Sequence, residues 1–182
     1  DQLDLMLCNL VNQEGELEYE HLCWDPVIFL VQSAHPCCRY ARYRDTFYHP
    51  WIDLREFEQE IFILQHQGQS LRQYSDQLLE EAGLSPQRIT QIRNIETAAQ
   101  MAANGLGVSF CLESYFRHMM FIQPPYRFSV GERQLAADFS AAYRRGRQLP
   151  EYTVQFIHLL KNLMEMEVGR MVEMDKSVNK NL

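Results

Sequence analysis

The sequence predicts an α/β protein in which mostly parallel sheets are flanked by helices, and three observations carry that reading. Two apolar runs, "VIFLV" at 27–31 and "EIFIL" at 60–64, have the length and composition of strands buried on both faces, as in a parallel sheet. Two stretches with helical spacing of apolar residues follow the second run, at 70–83 and 94–105. The glycines of "GLGV", Gly105 and Gly107, then separate a helix from the strand "VSFCL".

Taken in order, "LDLMLC" at 3–8 reads as a short strand, and the polar turn "NQEGE" leads toward the run at 27–31. "SAHPCC" breaks that run, and a connector rich in tyrosine and arginine occupies 39–54. After the strand at 60–64 and the polar loop "QHQGQ", Ser70 and Gln73 form an S-x-x-Q capping box. Leu71, Tyr74, Leu78 and Ala82 recur at helical spacing, and Gly83 stops that helix. "RITQIR" is read as a strand. Asn94 then caps a second helix, Glu96 suits its positive start, and Ile95, Ala98, Ala99 and Ala102 share one face. Past Leu112 a strand is read at 135–143, then the turn "RRGR" and a helix opening at Pro150. That helix has Phe156, Ile157, Leu160, Leu163 and Met164 as its apolar face. The final "MDKSVNKNL" is polar and reads as a frayed end. No internal repeat or low-complexity segment occurs.

The direction of the GLGV segment decides its role. Gly105 stands where a helix ends in the left-handed conformation, with Leu106 folding back toward Met101, and Gly107 turns the chain into a strand. A dinucleotide loop needs the opposite order, strand then glycines then helix, so that backbone N–H groups point at phosphate. These glycines are punctuation.

Composition excludes several classes. The chain has 182 residues, 46% of them hydrophobic and 12% aromatic, enough for a sizeable core in one domain or two lobes. A formal net charge of −7, with one basic cluster at Arg144, Arg145 and Arg147, argues against this chain itself gripping nucleic acid or an anionic membrane. No apolar run approaches the roughly 20 residues of a membrane span, and no signal pattern opens the chain, so a cytoplasmic location is expected. Five cysteines is an odd count, and Cys8, Cys23 and Cys111 lie in apolar stretches, where reduced thiols behave as small hydrophobes. The chain starts at Asp1 in mid-pattern without an initiator methionine, and an upstream part is expected.

In an open α/β sheet, ligands bind beyond the carboxyl ends of the strands. The helix starts at Ser70 and Asn94 arrive at that edge with free N–H groups and a positive dipole end, a cradle for a small carboxylate. The competing reading is that both residues are ordinary caps.

The segment "EIFILQHQGQSLRQYSDQLLEEAGLSPQRITQIRNIETAAQMAANGLGVSFCLESYF" resembles the effector-binding domain of LysR-type transcriptional regulators. In that family a strand, a polar loop, a helix with "LR…D" and "aG", a strand, and a helix ending in "aaGlGva" occur in this order. "DLML", "VIFLVQSAHP" and "YRRGRQLPEYTVQFIHLL" extend the resemblance to about Leu163. It implies two α/β lobes of a type II periplasmic-binding-protein-like fold with a small effector between them. Lobe I would comprise 1–32 and 108–165, incomplete at its start, lobe II 33–107, and a polar tail 166–182. It also implies effector contacts at Gln65, His66, Gln67, Ser70, Asn94 and Thr97, no cofactor, a homodimer or higher homo-oligomer, and DNA recognition only through a helix-turn-helix absent from this chain. Polar amides, His66 and two helix starts point to a small acid or amino-acid-like metabolite as effector. The sequence departs from the family in having Leu112 where proline is usual.

Three rivals are weighed against this. His21, Cys23, His35, Cys37 and Cys38 lie close in sequence, and Cys and His are zinc ligands, but their spacing is no recognised zinc pattern. Ser70 and Ser109 lack a G-x-S-x-G elbow, and Glu80 and Glu81 fall on the solvent side of a helix, so no catalytic role is expected. A solute-binding protein of the same fold would need export.

Overall fold

The computed structural model describes residues 3–178, with side-chain burial described as far as 164. Its strands are β1 (Met6–Leu10), β2 (Leu17–Val31), β3 (Ile61–Leu64), β4 (Arg88–Gln91), β5 (Val108–Leu112), β6 (Tyr126–Phe128) and β7 (Ala136–Arg144). The α-helices are α1 (Ser70–Glu81), α2 (Ile95–Ala103), α3 (Glu113–Arg117) and α4 (Glu151–Val178). Short 3-10 turns at Pro36–Tyr40 and Leu54–Phe57 fill the connector between β2 and β3. The chain forms two compact units, Pro26–Ala136 and, from the remaining ends, Asp1–Asp25 with Ala137–Leu182.

In the unit Pro26–Ala136, parallel pairing appears where helices cross over. β3 pairs in parallel with β4, Ile61 opposite Arg88 to Leu64 opposite Gln91, and with β5 through Phe62 opposite Val108. β2 closes the other side of β5 antiparallel, with Phe29 opposite Phe110, and also pairs β6. One face of this sheet carries a cluster of rings, with Phe29 centroids 5.1 Å from Phe57 and from Phe110 and 6.2 Å from Phe62. Ile28, Leu30 and Cys111 alternate with those residues and pack on Ala99 and Ala102 of α2. Alanines on the inner face of α2 let it sit close to the sheet.

Gly105 and Gly107 end α2 as the order of elements requires. Gly105 has φ +74, and the Leu106 N–H donates to the Met101 carbonyl at 3.0 Å, the long bond of a Schellman end. Gly107 has φ +153, and a Cβ there would lie 2.3 Å from the backbone oxygen of Ile61. The strand β5 follows at once.

At Leu112, β5 passes directly into α3. Glu113 opens that helix and is 2% exposed. Its carboxylate lies 2.8 Å from His49 Nε2, and it accepts from Arg127 Nη1 at 2.6 Å and Arg117 Nε at 3.2 Å. Next to His49, Pro50 and Ile52 exchange backbone hydrogen bonds with Ser129. A long connector is thus fixed against β6 and α3 by one buried charge cluster.

The other unit holds β1 against β7, antiparallel from Met6 opposite Ala142 to Leu10 opposite Asp138. Leu22, Ala141 and Ile157 form its buried centre, with Leu160 and Phe139 packed against them.

Several elements differ from the sequence expectation. β2 begins at Leu17, ten residues before the apolar run, because its first half alternates half-buried residues and finds β7 as a neighbour. β1 is shifted to Met6–Leu10. Ser70 is the first residue of α1 and not its cap: Gln69 stands in the cap position, and no side chain caps that end. On α4, Phe156 and Leu163 are exposed and Ile157 is buried, since apolar residues occupy two neighbouring stripes and only one meets the sheet. α4 also continues as helix through Met174 to Val178, where a frayed end was expected, and Asn179–Leu182 lie outside the described residues.

Candidate functional site

Parallel pairing of β3 with β4 brings the starts of α1 and α2 to one edge of the sheet in the unit Pro26–Ala136. The connection after β3 runs from Gln65 to Gln69, and the connection after β4 runs from Ile92 to Asn94. Ile92 N–H donates to the Leu64 carbonyl at 2.9 Å, which keeps the two in register. Gln69 braces them: its Oε1 accepts from the His66 N–H at 3.1 Å and its Nε2 donates to the Arg93 carbonyl at 3.1 Å. A single amide therefore sets the spacing of both helix starts.

At α1, the N–H groups of Arg72 and Gln73 both reach the Gln69 carbonyl. The first two N–H groups, of Ser70 and Leu71, have no intrahelical partner, as at every helix start. With no capping side chain, this end keeps its positive partial charge open to an anion. α2 is different. Asn94 Oδ1 accepts from the Thr97 N–H at 2.8 Å and from the Thr97 hydroxyl at 3.2 Å, so these two expected contact residues are engaged with each other as a cap.

Gln65 is the feature with no structural explanation in its own surroundings. It is 2% exposed, yet neither its Oε1 nor its Nε2 has a hydrogen-bond partner among the described residues. Each such buried orphan costs on the order of 1–3 kcal/mol, so a group of this kind in a native fold calls for a reason. Its backbone carbonyl is fixed by Arg72 Nη1 at 3.1 Å, and Arg72, itself buried, is held by Asp76 Oδ1 at 2.7 Å. The strand end carrying Gln65 is thus held rigidly to α1.

Of the six expected residues, Gln65 is buried, His66 and Ser70 are half-buried, and Gln67, Asn94 and Thr97 are exposed. The fold brings the strand ends that bear them together. Sequence reasoning missed Gln69 and Arg72. Gln69 was legible only as one of several polar loop residues, and Arg72 only through the family's "LR".

A surface cleft of about 480 Å³ lies elsewhere on this unit, lined by Leu64, Leu79, Leu84 and Ile89 and edged by Asp76 and Glu80. Its two carboxylates make it a poor receptor for an acid. It contains none of the six residues.

The histidines of the cysteine and histidine cluster have carboxylate partners. His21 Nδ1 lies 2.7 Å from Asp138 Oδ1, whereas His35 pairs with Glu60 at 3.3 Å and accepts from the Cys37 N–H through its Nδ1. Burial, followed by the carboxylates of Asp25 and Asp138, pushes the Cys23 thiol up to about 11. Burial and the neighbouring Cys37 do the same to Cys38. Among the described residues, no three of His, Cys, Asp and Glu converge so as to hold a metal ion.

Comparison with known proteins agrees with this architecture. The family model described as the LysR substrate binding domain matches residues 1–165. An uncharacterized HTH-type transcriptional regulator of Bacillus subtilis (strain 168), YybE, is 31% identical over 107 residues, which is 59% of this chain and 34% of that protein. The chain thus spans about a third of that relative's length. Among solved structures, the CcmR regulatory domain of Synechocystis PCC6803 in complex with 2-PG superposes with a TM-score of 0.72 at 18% identity, covering 89% of this chain and 74% of that one. The BenM effector binding domain with its effector benzoate gives 0.72 at 14% identity, covering 92% and 72%. At such identities the structural likeness establishes the fold.

Proposed function

We propose, from the premise that this chain belongs to the LysR substrate-binding domain family, that it is the effector-sensing part of a DNA-binding transcriptional regulator. A small metabolite binds at the braced helix starts of α1 and α2, and its occupancy is relayed to a DNA-binding part carried outside this chain. The observation that supports this best is the start of α1, which has no side-chain cap and follows in the chain from the buried Gln65, whose amide has no partner among the described residues. The CcmR regulatory domain and the BenM effector binding domain, which share the fold, are seen with small molecules, 2-PG and benzoate.

In this reading Gln65, His66, Gln67 and Ser70 form one side of the site and Asn94 and Thr97 the other, with a small acid or amino-acid-like metabolite as ligand. The span 33–107, assigned to lobe II, lies inside the compact unit Pro26–Ala136. The domain acts by binding and not by catalysis, as a homodimer in the cytoplasm, and touches DNA only through its parent protein. Among the described residues no helix is long and apolar enough to cross a membrane.

A thermal melt against a panel of small carboxylates and amino acids tests the proposal. A ligand at about a hundred times its Kd adds roughly 2.7 kcal/mol and raises the midpoint by several degrees. The rise is expected to shrink in Ser70→Ala and in Asn94→Ala. A panel with no rise at all, or a rise that both variants retain in full, rules the site out.

A further inference from the structure

We infer that the ligand carries an amide edge, a C=O and an N–H side by side, that pairs with Gln65, and a carboxylate that meets the start of α1. The inference rests on the proposed effector site and names the chemistry that site selects.

Two independent observations converge. The first is the α1 start, twelve residues of helix with no side-chain cap, and with Arg72 and Gln73 N–H groups already taken by Gln69. Its remaining donors favour a negative charge. The second is Gln65, which ends the strand leading into that helix with both polar atoms of its side chain buried and unpartnered among the described residues.

A carboxamide presents one acceptor and one donor in a single plane. A carboxylate, which only accepts, would satisfy Nε2 and leave Oε1 orphaned. An ammonium, which only donates, would do the reverse. A second amide edge, in a primary amide or a lactam, satisfies both atoms through two parallel hydrogen bonds. A site with such buried groups rejects analogues that leave one of them unpaired more strongly than it rejects a change in apolar size.

Neighbouring groups are already committed elsewhere. Arg72 is bound to the Gln65 carbonyl and to Asp76, Gln69 spans His66 and Arg93, and Asn94 caps Thr97. Among the described residues, Gln65 is thus the buried polar side chain at this edge whose hydrogen-bonding capacity is unused.

Three probes of one carbon skeleton test the inference: succinamate with a carboxylate and an amide, succinate with two carboxylates, and 4-aminobutyrate with a carboxylate and an ammonium. Affinities are measured by calorimetry on the intact chain, and the melting midpoint is measured without ligand. Succinamate is expected to bind at least about tenfold more tightly than either analogue. In Gln65→Met that preference is expected to vanish, while the ligand-free midpoint rises because two orphaned polar atoms have been replaced by apolar ones. Equal or tighter binding of succinate or 4-aminobutyrate overturns the amide edge and leaves the effector site standing. Absence of binding by all three also overturns it, and the wider carboxylate panel then decides the site separately. A Gln65→Met protein that melts lower than the parent, or no longer melts cooperatively, overturns it as well, since Gln65 would then be a structural residue.

Discussion

Glu113 shows how one residue organises a long connector. Burial alone would raise its pKa, but the hydrogen bond with His49 and the charges of His49, Arg127 and Arg117 outweigh that and lower it from 4.5 to about 2. A folded-state value below the unfolded one means that the carboxylate stabilises the fold above the unfolded pKa. That stabilisation is lost as pH falls from about 5 toward 2. Its size is on the order of 3 kcal/mol. Glu113→Gln is therefore expected to melt well below the parent at pH 7 and to lose less stability on acidification. Denaturant titrations at pH 7 and pH 4 measure both quantities, and parallel slopes for parent and variant would contradict the assignment. Neither the burial of Glu113 nor its pairing with His49, 64 residues away, is legible in the sequence. A lone glutamate at a helix start is usually a solvated favourable charge.

At the scale of elements, the join of α2 to β5 separates two glycines that look alike in the sequence. A side chain at Gly105 would meet the end of the Gln32 side chain at 2.6 Å, which can swing away. At Gly107 it would meet the Ile61 backbone, which is held in the sheet. Gly105→Ala is thus expected to cost about 1 kcal/mol, from the left-handed backbone, and Gly107→Ala more than about 3 kcal/mol. Chemical denaturation of the two variants checks the order, and equal losses would mean that close approach at Gly107 is unimportant. The cap of α2 yields a second expectation: Asn94→Ala should lose about 1 kcal/mol even without ligand. Much at this scale was legible. Asn94 as cap, Gly105 as helix end and the direction of the helix relative to the glycines all follow from signals within a turn or two of chain. The capping box at Ser70 was not, because S-x-x-Q also occurs one residue inside a helix, and here Gln69 takes the cap position.

For the whole molecule, α4 bears an outward row of Tyr152, Phe156, Leu159 and Leu163, between 44% and 66% exposed. Their spacing of four, three and four residues matches what a partnering helix reads. The proposed homodimer gives this row a role. Light scattering at tens of micromolar is expected to give a dimer mass, and Phe156→Asp with Leu163→Asp a monomer that still folds cooperatively, since neither side chain belongs to the buried core. A parent that is monomeric at that concentration removes the role. The same row explains why the inner face of α4 was misassigned. A helix with two apolar stripes satisfies the helical period on either, and only the position of the sheet selects Ile157.

The sequence alone determined the α/β class, the order of elements from 60 to 112, the direction that excludes a phosphate loop, and the arrival of two helix starts at one sheet edge. These depend on periodicity, caps and glycines, which act over a few residues and leave their mark locally. Tertiary structure alone decided the full length of β2, the ion cluster at Glu113, the brace at Gln69 and the burial of Gln65 without a partner among the described residues. Each of these depends on which distant segment lies alongside. A polar residue in a loop reads the same whether water or a closed interior surrounds it, and the desolvation that distinguishes the two cases arises only when the chain has folded.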